Sequence, residues 1–294
     1  MTDSSLKITT IGDALTWAKS YLKSHSYDLS IDNASEFLLS ELIGISKIAL
    51  YAHFDDRLDD EKIKTFVRFI KRAANNEPLQ YILGYAYFDN HKFSVGKGVL
   101  IPRPETEYMV FEVLKLLKNN TSDSIKILDL CTGSACIACT LAKKIPNSKI
   151  WATDISKEAI QFAKLNIKNL KVEDQIILKN CNLADDVCED NFDLIISNPP
   201  YVPSKVMKTL PNNVKNFEPK LALEAGDEGL DFLPEILSIA KNKLKNSGIL
   251  AIELFEDSLN LAKEFIEKNS NFKAQDYKDY SSKNRFIIAK KKAH

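Results

Sequence analysis

Asn198-Pro199-Pro200-Tyr201 follows directly on an apolar run, Phe192-Asp193-Leu194-Ile195-Ile196-Ser197. A strand stopped by two prolines is the plainest reading. The same four residues also make a chemical device. Pro199 has no amide hydrogen and a fixed φ, so the turn is stiff and its carbonyl is free to face a ligand. Together with the side-chain oxygen of Asn198 it supplies two acceptors for the two hydrogens of a planar NH2 group. Tyr201 offers a ring on which a planar amide or base can stack. A conjugated NH2 is a poor nucleophile, and the help it needs is orientation toward an electrophile, worth on the order of 7 kcal/mol in favourable cases.

A second constellation is Asp129-Leu130-Cys131-Thr132-Gly133-Ser134-Ala135. It reads as a tight strand-to-helix turn whose backbone amides can approach a ligand and whose helix start favours a negative group. Asp154 ends the next apolar run. A carboxylate there can accept both hydroxyls of a ribose, and its separation from Asp129 fits the ~20-residue spacing of nucleoside-binding βαβ units. A solvated loop acid would look the same by itself. No G-x-x-x-x-G-K-[ST] occurs, which argues against a P-loop nucleotidase.

The elements that must position these residues are β-rich runs alternating with helical ones from Glu105 onward. Strands are predicted at Lys126 to Leu130, Lys149 to Asp154, Gln175 to Leu178, Phe192 to Ser197, Gly248 to Leu254 and Arg285 to Ala289. Helices are predicted at Ala135 to Lys144, Lys157 to Asn169, Gly229 to Lys245 and Ser258 to Lys268. This alternation implies an α/β fold with a mostly parallel sheet, and the last strand, with no clear crossover helix before it, is expected to be antiparallel. Ligands of such sheets bind beyond the carboxyl ends of the strands.

Upstream, apolar residues recur at helical spacing, as in Leu15, Ala18, Leu22 and in Phe66, Val67, Ile70. Asp32 and Asp59 stand where they could cap two of these helices. Between Gln80 and Ile101 the period becomes strand-like around Asp89-Asn90-His91-Lys92. The expected organisation is an N-terminal helical bundle at 1–77, a hairpin linker at 78–104 and an α/β domain at 105–294. Lys290-Lys291-Lys292 reads as a solvated tail.

Composition narrows the function classes. Forty basic residues match forty acidic ones among 294, with 45% hydrophobic residues, so no basic excess points to DNA or an anionic membrane. No run approaches the ~18 apolar residues of a membrane span, and Met1-Thr2-Asp3-Ser4-Ser5 lacks a signal-peptide start; a cytoplasmic monomer is expected. Five cysteines, an odd number, read as reduced thiols. The four histidines lack metal-ligand spacing, so no metal is expected. Glycine is scarce at nine residues, against the ~7% of an average protein, so each one matters.

The sequence resembles the protein-(glutamine-N5) methyltransferases that act on class-I peptide chain release factors. The likeness runs along nearly the whole chain. It rests on Asn198-Pro199-Pro200-Tyr201, on Pro78-Leu79-Gln80-Tyr81-Ile82-Leu83-Gly84, on Ile101-Pro102-Arg103-Pro104-Glu105-Thr106-Glu107, and on Glu218-Pro219 followed by Gly226 and Gly229-Leu230. The N-P-P-Y motif alone is shared with adenine-N6 DNA methyltransferases; the P-R-P-E-T-E segment and the helical amino-terminal domain are more restricted. The resemblance implies a Rossmann-like class I methyltransferase sheet, S-adenosylmethionine as cofactor, and the glutamine of a Gly-Gly-Gln loop as substrate. Asp154 would take the ribose hydroxyls. The turn of Asp129, Cys131, Thr132, Gly133, Ser134 and Ala135 would approach the methionine part, with Asn182 and Leu183 beside the adenine. Asn198 and Pro199 would hold the glutamine amide, flanked by Pro200 and Tyr201, while its nitrogen attacks the sulfonium methyl in line. Arg103 and Glu105 would lie at the rim of the substrate cleft or pair structurally. The helical domain would grip the release factor, and no DNA partner is implied.

The chain departs from that family where the turn usually reads D-L-G-T-G-S-G. Cys131 and Ala135 replace its first and third glycines, Asn182 stands for an acid near adenine, and Phe255 replaces a further glycine. If position 131 needs φ > 0, the change costs about 1 kcal/mol or more, and a working but weaker cofactor site is expected. Cys131-x4-Cys136-x2-Cys139 copies the opening spacing of plant-type iron–sulfur ligation, although Cys136 and Cys139 share an apolar helix face with Ala138, Leu141 and Ala142. Two other functions stand beside the glutamine enzyme: an adenine-N6 nucleic-acid methyltransferase, and a release-factor-binding module with a decayed cofactor site.

Overall fold

The computed structural model describes residues 8–25, 27, 30–118, 124–279 and 281–292. The Met1 to Ser5 segment and His294 lie outside the described residues. The chain divides into two compact units, Met1–Gly84 with Pro211–Phe217, and Tyr85–Leu210 with Glu218–His294.

The first unit holds helices α1 (Ile11–Ser24), α2 (Ile31–Ile43), α3 (Lys47–Ala52), α4 (Asp60–Ala74) and α5 (Leu79–Leu83). Their apolar faces meet in a core that includes Leu15, Leu22, Leu38, Phe66 and Ile70. Thr10 starts α1 with a capping box to Asp13. The cap of α2 is Ser30 rather than Asp32, which sits in the first turn, and Asp59 occupies the N-cap of α4 without a side-chain bond. Arg72 ties the Pro78 to Gly84 motif down: its guanidinium pairs with Glu77 and donates to the carbonyls of Tyr81 and Ile82, each at 3.2 Å.

The second unit opens with a hairpin of β1 (Tyr85–Phe88) and β2 (His91–Ser94). Asp89 and Asn90 both take positive φ, the conformation a tight two-residue hairpin turn requires. After α6 (Pro104–Leu117), with proline in its first turn, come β3 (Ile125–Leu130), α7 (Cys136–Lys144), β4 (Ser148–Asp154), α8 (Lys157–Asn169), β5 (Ile176–Asn180) and β6 (Phe192–Ser197). The chain continues through α9 (Ser204–Met207), α10 (Asn212–Lys215), which belongs to the first unit, α11 (Leu233–Lys243), β7 (Leu244–Glu253), α12 (Leu259–Asn269), β8 (Phe272–Lys278) and β9 (Asn284–Lys291). The sheet order is β5-β4-β3-β6-β7-β9-β8, a Rossmann-like arrangement in which β9 runs antiparallel to both its neighbours.

Alternation along the strands feeds two cores. Ile127, Leu194 and Ile196 face the layer of α6, α7 and α8, while Leu128, Leu130 and Ile195 face α11 and α12. Strand order reverses between β3 and β6, so the switch point lies where the Cys131 turn and Asn198 leave the sheet.

Three sequence expectations need correction. The sequence predicts no strand at the edge strand β8, where only Phe272 and Ala274 of seven residues are buried. Helix α11 begins at Leu233, not Gly229, whose positive φ is incompatible with a helix interior. Lys290 and Lys291 are not tail: both belong to β9, and the Lys291 ammonium donates to the carbonyls of Lys241 and Leu244 at 2.7 Å each. There it satisfies the open end of α11. Among the described residues no helix is long and apolar enough to cross a membrane.

Candidate active site

Beyond the carboxyl ends of β3, β4, β5 and β6 lies a cleft of about 1110 Å³, solvent at its mouth included. Cys131, Thr132, Gly133, Ser134, Asp154, Asn182, Leu183, Asn198 and Pro200 border it, and Arg103 stands at it as well. Asp129, Ala135, Pro199, Tyr201 and Glu105 do not. These residues come from four strand ends and the segment before α6, and the fold brings them together.

The wall after β3 is shaped by backbone conformation. Cys131, Gly133 and Ala135 have φ of 58°, 56° and 62°, all left-handed. Two of the three carry a Cβ, which in this region costs roughly 1–2 kcal/mol per residue. Contacts around the turn hold it there. The Thr132 amide donates to the Thr153 carbonyl at 2.8 Å and the Gly133 amide to Oδ2 of Asp154 at 2.8 Å. Buried Asn166 on α8 accepts from the Ser94 amide at 2.7 Å and donates to the Ser94 and Ser134 carbonyls, so one side chain locks the β-hairpin to this turn.

Asp129 lies beneath the turn, fully buried. Its Oδ2 accepts from the Thr132 hydroxyl at 2.5 Å, and burial pushes its pKa up to about 7 against the lowering effect of that bond. Its role in this geometry is to organise the turn from below. Asp154 borders the cleft directly. Burial raises its pKa, while the Ser156 and Gly133 amides that donate to its two oxygens oppose the shift. Each oxygen keeps a second lone pair for a ligand hydroxyl. Cys131 also borders the cleft while packing against the core of α11 and α12, and burial pushes its thiol pKa up, so it is a poor thiolate. Cys136, which also borders the cleft, and Cys139 pack from α7 into the core and Cys188 is exposed; among the described residues no three potential ligands gather around a metal site.

The opposite wall is built from side-chain bonds. The Asn198 amide Nδ2 donates to the Thr106 hydroxyl at 3.0 Å, and that hydroxyl donates to Oε2 of Glu253 at 2.6 Å. Tyr201 donates its phenol hydrogen to Oε1 of Glu253 at 2.9 Å. The Tyr201 hydroxyl is thus committed to the carboxylate, and Tyr201 is not among the residues that border the cleft. Oδ1 of Asn198 is buried without any partner. The turn carrying these residues is strapped from behind: the Tyr201 and Val202 amides donate to the Leu223 carbonyl, and a Cβ on Gly229 would fall 2.2 Å from the Tyr201 carbonyl oxygen. Arg103 pairs with buried Glu218 at 2.5 Å, and the second Glu218 oxygen accepts from the Ile101 amide at 3.1 Å. Glu105 is half-buried in the first turn of α6.

Four residues of this arrangement escaped sequence reasoning: Thr106, Asn166, Glu218 and Glu253. Two of them stood in plain sight, Thr106 inside Pro104-Glu105-Thr106-Glu107 and Glu218 ahead of Pro219. Glu253 carried one signal, an acid closing an apolar strand.

Sequence comparison agrees with this architecture. The PrmC N-terminal domain matches residues 13–84, and the Methyltransferase small domain matches 112–217. The Release factor glutamine methyltransferase of Clostridium acetobutylicum is 33% identical over 95% of this chain and 98% of that protein. The Thermodesulfovibrio yellowstonii protein of the same name is 38% identical over 78% of this chain and 81% of its own, and the Lactococcus lactis one 35% over 90% and 96%. Among solved structures, the hMettl16 catalytic domain in complex with the MAT2A 3'UTR hairpin 1 shares the fold, with a TM-score of 0.54 and 15% identity over 94% of this chain and 90% of that one. With its helical first unit, its Rossmann-like sheet and this extent of identity, the chain belongs to the release factor glutamine methyltransferase family.

Proposed function

We propose that this protein transfers a methyl group from S-adenosylmethionine to the side-chain amide nitrogen, N5, of the glutamine in the Gly-Gly-Gln loop of class-I peptide chain release factors. The observation that carries this reading is the orphaned Oδ1 of Asn198, a buried acceptor held at the edge of the cleft while its own NH2 is engaged behind it. An unpaired buried acceptor costs about 1–3 kcal/mol. A primary amide hydrogen is the complementary donor, and the carbonyl of Pro199, although that residue does not border the cleft itself, is the second acceptor that the same rigid turn would bring to a seated amide.

The residues present fit S-adenosylmethionine. Asp154 retains lone pairs for ribose hydroxyls, the left-handed turn from Cys131 to Ala135 lets the chain lie close to a ligand, and Asn182 and Leu183 border the cleft beyond the end of β5. When bound, the cofactor supplies an electrophilic methyl group on a sulfonium. Asn198 and Pro199 hold both hydrogens of the substrate amide and so fix the plane of its nitrogen. Pro200 and the Arg103–Glu218 pair shape the cleft beside it. Catalysis is positioning, and no strong general base is required. The helical first unit would recognise the body of the release factor.

Transfer of label from S-adenosylmethionine tests the reading, using an intact release factor, its Gly-Gly-Ala loop variant and an adenine-rich duplex. Label on the intact factor alone is expected. Label on the duplex would move the function to nucleic acid, and no label with no cofactor binding would leave a binding module.

A further inference from the structure

We infer that Thr106 and Glu253 are positioning residues that decide which end of the Asn198 amide meets the substrate. The inference rests on the proposed methyl transfer to glutamine and deepens it. The two ends of an asparagine amide are nearly equal in size, so packing hardly distinguishes them, yet one accepts hydrogens and the other donates them. Only the oxygen can receive a substrate NH2; a reversed Asn198 would set two NH2 groups against each other.

Polarity in this corner descends from Glu253. It is buried at the end of β7, and its ionised form accepts and never donates. Oε1 takes the Tyr201 phenol hydrogen and Oε2 takes the Thr106 hydroxyl hydrogen. With its only hydrogen committed to Glu253, Thr106 can offer Asn198 nothing but a lone pair. Nδ2 of Asn198 must therefore turn toward Thr106, which leaves Oδ1 facing away and unpaired. Thr106, in the first turns of α6, thus passes the acceptor character of Glu253 on to Asn198. Two groups 147 positions apart in the chain, Thr106 and Glu253, make the link.

Protonating Glu253 weakens this arrangement. A proton on Oε2 donates to Thr106, whose own hydrogen then turns toward Asn198 and favours the reversed amide. Burial raises the Glu253 pKa to about 7; the bonds from Thr106 and Tyr201 and the charge of Arg103 lower it, and the charge of Glu105 raises it. Arg285 on β9 acts on the Tyr201 side of the same group. Turnover is therefore expected to fall as pH drops below about 7.

The test compares the full-length wild type with Thr106→Val, Thr106→Ser and Glu253→Gln. Release-factor methylation gives kcat and KM across pH 6 to 9, and calorimetry gives the S-adenosylmethionine Kd. Val keeps the shape of Thr without the hydroxyl, and should lower kcat about 10- to 100-fold with the cofactor Kd unchanged. Ser restores the hydroxyl and should return kcat to within about threefold of wild type. Glu253→Gln should lose turnover and also lose the acid limb of the pH profile. A Thr106→Val enzyme as fast as wild type, a Ser variant as impaired as Val, or an acid limb that survives in Glu253→Gln would overturn the inference. An inert wild type that labels no release factor would instead remove the proposed function, and this inference with it.

Discussion

The two walls of the cleft are held in place by different physics. After β3, the Cys131 to Ala135 turn is set by backbone dihedrals, three of them left-handed and two of those on residues with a Cβ. After β6, the Asn198 to Tyr201 turn is set by proline geometry and a run of side-chain hydrogen bonds that leaves Oδ1 of Asn198 buried without a partner. Strain gathers on the wall that would bind cofactor, and pre-organisation on the wall that would orient the reacting amide. The first wall should therefore govern affinity and the second turnover. A change in either ought to move one constant and spare the other.

Asn198→Ala puts the greatest load on that division. Loss of the acceptor should reduce kcat about 100- to 1000-fold while calorimetry finds the S-adenosylmethionine affinity close to wild type; a parallel collapse of affinity would show that the walls are not separate. Gly229→Ala attacks the support of the second wall from behind. Its Cβ would meet the Tyr201 carbonyl oxygen at 2.2 Å in a backbone with φ of 72°, so a loss of about 2–3 kcal/mol is expected in urea unfolding. An unchanged midpoint would mean that the strap yields freely.

The acids behind the two walls give a pH test of stability. Asp129 beneath the first and Glu253 behind the second both titrate near 7 in the native protein, against about 4 in the unfolded chain. Between those values the native state binds more protons, so stability falls as pH rises from about 4 to 7. Thermal midpoints should therefore drop between pH 5 and pH 8, and Asp129→Asn should flatten that slope without removing the acid limb of turnover. A midpoint that climbs over this range would contradict both assignments. The smallest effect belongs to Cys131→Gly combined with Ala135→Gly. Relief of left-handed strain, offset by the added freedom of glycine in the unfolded chain, leaves roughly 0.5–1 kcal/mol per site. Urea stability and cofactor affinity should both increase slightly with kcat unaltered. Poorer affinity would mean that Cys131 contacts the cofactor favourably.

The sequence was most informative wherever structure follows from near neighbours. An apolar run placed β6 at Phe192–Ser197 and helical spacing placed α8 at Lys157–Asn169, and the proline pair after Ser197 marked a stiff turn because its φ is covalently restricted. It was least informative at β8, an edge strand in which only Phe272 and Ala274 are buried, and at Lys290 and Lys291, whose charges resemble a tail until Lys291 reaches the end of α11. Asp129 and Asp154 each stand near a strand end in the sequence, and both are expected to serve the cofactor. Only the fold made one a buried support and the other a group at the cleft.

Residue types and short-range geometry thus determined the chemistry on offer: a carboxylate at the end of β4, a tight turn after β3, and an amide with two prolines after β6. The tertiary structure decided which atom of each group is left to use. The donor end of Asn198 is taken up by Thr106, 92 positions earlier, whose own hydrogen goes to Glu253, 55 positions later than Asn198, and hydrogen-bond direction is a property of such assembled contacts that no local pattern encodes.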